Sequence, residues 1–173
     1  MVTPSDGGAT NATSSIPLRD SATFMDKKDS LTVPGRYNEI RHICDFVADG
    51  AAQAGFDEDA IFQVQLACDE ACTNIIEHTY QAENAGKIHI SWEIGRRTFI
   101  IVIEDSGKPF DPGEIPPAQV PPTAVHVDED KDYEVKVGGL GVYFMRKLMD
   151  TVTFDYREGS GNVLTMEKRL PEK

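Results

Sequence analysis

Between residues 36 and 170 the spacing of apolar residues changes period, and this change limits the folds open to the chain. Ile40, Ile43, Cys44, Val47, Ala48 and Ala51 recur at intervals of three and four, which predicts a helix over 36–54 closed by Gly55 as a left-handed cap. A second run of this kind, Ile61, Val64, Cys68, Ala71, Cys72 and Ile75, predicts a helix over 58–80 opened by Asp57 as its N-cap. At Lys87 the period drops to two: Ile88, Ile90, Trp92 and Ile94 alternate with His89, Ser91 and Glu93. After a tight connection at Gly95–Arg97 comes FIIVIE, 99–104, apolar almost throughout, as in a central strand covered on at least one face.

The rest of the chain completes this pattern. VGGLGVYFMRKLMD, 137–150, reads as a glycine turn and a helix starting near Val142, with Val142, Met145, Leu148 and Met149 at core spacing. Val152–Tyr156 and Asn162–Leu170, joined by a turn at 158–161, read as a closing hairpin. The stretch 21–33 supplies one edge strand or two. Helices and hairpins are segregated rather than alternating, so the expected class is α+β: a two-layer sandwich of a mixed, mostly antiparallel sheet with helices on one face. Residues 1–20 are rich in Ser, Thr, Gly and Ala and read as a disordered tail, leaving a single domain over 21–173. Within it, 111–137 carries Pro116, Pro117, Pro121, Pro122 and the acidic run DEDKDYE, as expected of a long lid or binding loop.

Composition narrows the function classes. With 40% hydrophobic and 27% charged residues and no long apolar run, the chain reads as soluble rather than membrane-spanning. Its N-terminus lacks the basic and apolar regions of a signal peptide, so a cytoplasmic location is expected. Cys44, Cys68 and Cys72 show no metal-ligand spacing and two fall in an apolar pattern, so they read as small buried thiols. A net charge of −12 disfavours direct nucleic-acid binding but is compatible with a basic protein partner or a nucleotide carried as its magnesium complex.

Three motifs could carry chemistry. On the 58–80 helix a second stripe, Gln63, Leu66, Glu70, Asn74 and Glu77, lies on roughly the opposite side from the apolar one. A carboxamide such as that of Asn74 is a hard ligand suited to Mg²⁺, and a carboxylate one turn earlier, Glu70, could orient or deprotonate a hydroxyl attacking a terminal phosphate. Taken alone, the stripe could equally be a solvated face. Asp105, at the end of the apolar strand in DSGKPF, could accept hydrogen bonds from a ligand amino group, or simply serve a turn with Gly107. Gly138, Gly139 and Gly141 precede a helix whose free amides could meet a phosphate. They form neither a Walker A loop, since no Gly-Lys-Ser/Thr follows, nor a dinucleotide fingerprint.

In order and spacing, DEACTNIIEHTY (69–80), IEDSGKPFDP (103–112) and GGLGVYFMRKLMDTV (138–152) together resemble the ATP-binding GHKL, or Bergerat, fold. They are most similar to the anti-sigma-factor serine/threonine kinases of bacterial stress-response and sporulation partner-switching systems, over about 30–170. The resemblance implies that Asn74 coordinates Mg²⁺ on the ATP phosphates and that Glu70 is the catalytic base. It implies that Asp105 binds the adenine amino group in a pocket shaped by Gly107. Gly138, Gly139, Leu140 and Gly141 would hold the phosphates beneath the lid, and Arg41 would dock a partner. It implies an anti-sigma factor that phosphorylates an anti-anti-sigma antagonist of STAS type and sequesters a sigma factor, in a family that often forms homodimers.

One departure stands out: where many GHKL proteins carry a threonine after the glycine of the last hairpin, Asn162 and Val163 follow Gly161, which would weaken a polar contact near the adenine. The competing expectations are a nucleotide-responsive regulator that binds a partner without phosphotransfer, and a kinase serving a non-sigma output. A sensor histidine kinase is disfavoured, since about 35 residues before the first helix leave no room for a phosphoacceptor hairpin. Glu77 and His78 read as supporting residues.

Overall fold

A computed structural model describes residues 27–113 and 140–172. The expected tail over 1–20, the 114–137 part of the lid, and Gly138 and Gly139 lie outside the described residues. Five strands form one sheet: β1 (Lys27–Pro34), β2 (Lys87–Ile94), β3 (Thr98–Asp105), β4 (Thr151–Arg157) and β5 (Gly161–Arg169), in the order β1-β2-β3-β5-β4. The expected mixed sheet is antiparallel at every pair among these strands. Of the 21–33 stretch, residues 21–26 lie outside the described residues and 27–33 belong to β1, whose Leu31 and Val33 stand opposite Ile90 and Ile88 of β2.

Three helices cover one face. α1 (Tyr37–Ala54) packs on β1, β2 and β3; α2 (Glu58–Asn74) lies between α1 and α3 (Leu140–Leu148), and α3 reaches β4. The expected caps form: Asp57 Oδ1 accepts from the Ala60 amide at 2.8 Å, and Gly55 takes φ +89°. The alternation in β2 and β3 sends Ile88, Ile90, Trp92, Phe99, Ile101 and Ile103 into the core beneath the helices. FIIVIE therefore reads as one fully buried row and one half-buried row, Ile100 and Val102, on the uncovered face. No helix of the described residues is long and apolar enough to cross a membrane.

The thiols behave as small core groups. Cys68 and Cys72 are fully buried, and burial, first among the causes, raises both above the ordinary thiol value; Cys44 is pushed up to about 11.

The helix expected over 58–80 changes winding at its end. α2 stops at Asn74, and Ile75–Tyr80 is a π-helical turn leaving through Gln81 in the left-handed region, φ +60°. The Thr79 hydroxyl donates to the Ile75 carbonyl at 2.8 Å, engaging an acceptor of the regular ladder. The widened turn buries Ile75, Ile76 and Thr79 together and leaves Glu77 and His78 exposed.

Close packing at one helix glycine gives a stability test. A Cβ at Gly50 would stand 2.6 Å from Cε2 of Trp92, whose ring centroid lies 5.9 Å from that of Phe99 and 6.1 Å from that of Phe46. Alanine gains about 1 kcal/mol in helix propensity, but overpacking costs about 1–3 kcal/mol. The clash falls inside an indole ring held by other rings, so the upper end applies. Gly50→Ala is expected to lower unfolding stability by about 1–2 kcal/mol, read from the urea midpoint at unchanged m-value.

Candidate functional site

The carboxylate and carboxamide of α2 meet the first turn of α3. A Cβ built on Gly141 would stand 2.8 Å from Glu70 Oε2 and 3.0 Å from Asn74 Nδ2. Any side chain at 141 would displace both groups, so glycine is what lets the α3 backbone close on them. Within the stripe expected on the opposite side of α2, Glu70 and Asn74 therefore form a seam against α3. At the stripe's other end Gln63 Oε1 accepts from Lys168 Nζ of β5 at 2.8 Å. The described part of α3 already includes Leu140 and Gly141, ahead of the expected start near Val142, and Gly141 lies beside this pair.

Two features of the pair indicate a ligand. Asn74 Nδ2 is buried without a hydrogen-bond partner among the described residues. Such an orphan costs about 1–3 kcal/mol, and a half-turn of the amide would put Oδ1 in its place. A carboxamide in this setting fits a ligand oxygen or a hydrated cation. Glu70, half-buried, has its carboxyl raised above the ordinary glutamate value, first by burial and then by the charges of Asp69 and Glu77. A raised carboxyl is a stronger base once ionised.

A narrow cleft with a cavity volume of about 30 Å³ runs from Asn74 to Asp105, past Thr79, Phe110, Phe154 and Asn162. Asp105 ends β3 and is only 6% exposed, yet has no cationic partner among the described residues. Its Oδ1 accepts from the Gly107 amide at 2.8 Å and from Asn162 Nδ2 at 3.0 Å. Oδ2 takes no hydrogen bond among the described residues. Gly107 is pressed against the π-turn: a Cβ there would lie 2.8 Å from Thr79 Cβ and 2.9 Å from its carbonyl carbon. The Phe110 and Phe154 rings, 5.4 Å apart, give the cleft an apolar wall suited to a planar ring. The cleft is thus polar at both ends and apolar between, the profile of a nucleotide site.

The histidine kinase-like ATPase domain model matches residues 33–168, nearly all of the described fold. The chain belongs to the histidine kinase-like ATPase family. Within it, the chain groups with the RsbW-type kinases. It is 32% identical over 125 residues to the serine-protein kinase RsbW of Listeria innocua, covering 70% of this chain and 77% of the relative. It is 30% identical over 141 residues to RsbW of Halalkalibacterium halodurans, covering 81% and 82%. The RsbW of Bacillus velezensis is 31% identical over 120 residues, covering 69% and 71%.

In this ATPase-family fold the structure gathers Glu70, Asn74, Leu140 and Gly141 at one end of the site and Asp105 and Gly107 at the other. Arg41 is apart from both ends' contacts: its side chain is 91% exposed on α1 and, among the described residues, reaches only Asp45, at 3.9 Å. Glu77, exposed, accepts from the Tyr37 hydroxyl at 3.2 Å, and His78 is exposed. Sequence reading missed Thr79, Phe110, Phe154 and above all Asn162. Phe110 and Thr79 sit inside quoted motifs without a chemical signature. Asn162 was visible as the departure after Gly161, and its side chain hydrogen-bonds to Asp105, Lys108 and Phe110.

Proposed function

We propose that the chain is a serine/threonine protein kinase and anti-sigma factor that uses Mg-ATP to phosphorylate a STAS-type anti-anti-sigma protein, and that it sequesters a sigma factor. The observation carrying this reading is the single cleft lined by Asn74 at one end and Asp105 at the other, with Glu70 beside Asn74 across Gly141. The RsbW relatives, named as serine-protein kinases, support it.

In this reading Asp105 Oδ2 accepts from the adenine amino group, and the base lies against Phe110 and Phe154. The phosphates extend towards Asn74 and the backbone amides around Gly141 in α3. Asn74 would hold Mg²⁺, which when bound neutralises charge on the phosphates. Glu70 takes the proton of the substrate hydroxyl as that oxygen bonds to the γ-phosphorus. The bond from the γ-phosphorus to the β–γ bridging oxygen breaks, and ADP leaves with that electron pair. Arg41, exposed and only loosely paired, is free to dock the partner.

The test is transfer of γ-labelled phosphate from Mg-ATP to a cognate STAS protein, with the modified residue mapped. Label on a serine or threonine is expected. Nucleotide binding without transfer would instead make the protein a nucleotide-responsive partner-binding regulator.

A further inference from the structure

The Asn162 side chain makes three hydrogen bonds from β5, one to Asp105 and two to the turn that follows it. Its Nδ2 donates to Asp105 Oδ1 at 3.0 Å and to the Lys108 carbonyl at 2.8 Å, and its Oδ1 accepts from the Phe110 amide at 2.8 Å. Residue 162 is only 8% exposed and its bond to Asp105 is buried, while those to Lys108 and Phe110 are part-buried, so its carboxamide depends on these partners more than on water. A planar carboxamide offers two donor hydrogens and an acceptor at once. A hydroxyl has one donor hydrogen and cannot span all three positions.

The consequence falls on Asp105. Two donors, the Gly107 amide and Asn162 Nδ2, converge on Oδ1. This fixes the rotation of the carboxylate and leaves Oδ2 as the oxygen available to a ligand. The same carboxamide ties down Lys108 and Phe110, and so sets where the Phe110 ring stands against Phe154. Both the acceptor that would read the base edge and one wall against its face thus depend on one side chain.

We infer that Asn162 is a positioning residue for base selectivity, a clasp that presents Asp105 Oδ2 and closes the 105–110 turn on the purine. This rests on the nucleotide reading of the cleft given above. Its selectivity would be for a 6-amino over a 6-oxo purine, because a fixed carboxylate oxygen can accept from an amino group but repels a carbonyl.

The test compares binding of ATP and ITP, and kcat and KM for ATP, in wild type, Asn162→Ala and Asn162→Thr, with thermal unfolding measured on each. In Asn162→Ala, ATP affinity is expected to fall about tenfold or more, the ATP-to-ITP preference to shrink, and kcat at saturating ATP to stay near wild type. Asn162→Thr should be intermediate, since a hydroxyl can still meet Asp105 but cannot hold Lys108 and Phe110 as well. Equal weakening of ATP and ITP, with the preference unchanged, would reduce Asn162 to a structural role and overturn the inference. So would a threonine variant matching wild type in affinity and preference. Wild type that binds neither nucleotide would instead overturn the reading of the cleft.

Discussion

Glu70→Gln is expected to lower phosphoryl transfer to the protein substrate by about 10²–10⁴-fold, while ATP affinity stays near that of the wild type. Glutamine keeps the size and polarity of the side chain against Gly141 but cannot take a proton from the attacking hydroxyl. The loss should therefore appear in kcat, measured by label transfer at saturating ATP, and not in nucleotide binding. A variant that transfers phosphate at the wild-type rate would remove Glu70 from the base role.

The environment of Glu70 adds a second readout. Burial, then Asp69 and Glu77, raise its carboxyl above the ordinary value, so the acid limb of the wild-type rate should be displaced upwards from that of an ordinary glutamate. The same shift has a stability sign. A carboxyl raised in the folded state stabilises the fold below its unfolded value, and that contribution is lost as pH rises through the folded value. At neutral pH the ionised Glu70 is thus a cost to the fold, and Glu70→Gln should unfold at a slightly higher temperature than wild type. The difference should close as pH falls. An inactive variant more stable than its parent fits a site where stability is given up for chemistry.

Much of this arrangement could be read from the sequence because it rests on local rules. The period change at Lys87 separates helices from sheet, and Asp57 and Gly55 act as caps through contacts within a few residues. The site motifs Glu70–Asn74, Asp105–Gly107 and Gly141 were legible as motifs, and their order raised the resemblance. Their mutual contacts were not. Gly141 touches Glu70 and Asn74 from about 70 residues away, a matter of how α3 packs on α2. The π-turn escaped notice because Ile75, Ile76 and Thr79 fit a regular helical period almost as well; the Thr79 hydroxyl tips the balance. The partners of Asn162 were hidden because they too depend on tertiary packing. Only the fold brings 105, 108 and 110 within reach of it.

Asp105→Asn should change which nucleotide the protein accepts while leaving the fold in place. Both internal donors to Asp105, the Gly107 amide and Asn162 Nδ2, go to the same oxygen. An asparagine can keep its own carbonyl oxygen there and satisfy both, so unfolding stability should change little. The Oδ2 position then becomes an NH₂ group, a donor where the wild type has an acceptor. Against the adenine amino group this sets donor against donor in a buried site, and ATP affinity should fall by about 10²-fold or more. Against a 6-oxo purine the sign reverses, because the new NH₂ can donate to the carbonyl. ITP, which lacks the 2-amino group of guanine and so isolates this one position, should bind the variant better than it binds the wild type. Equilibrium titration of both nucleotides against both proteins checks the exchange. If the variant loses ATP and ITP alike while remaining folded, Asp105 supports the cleft without reading the base edge.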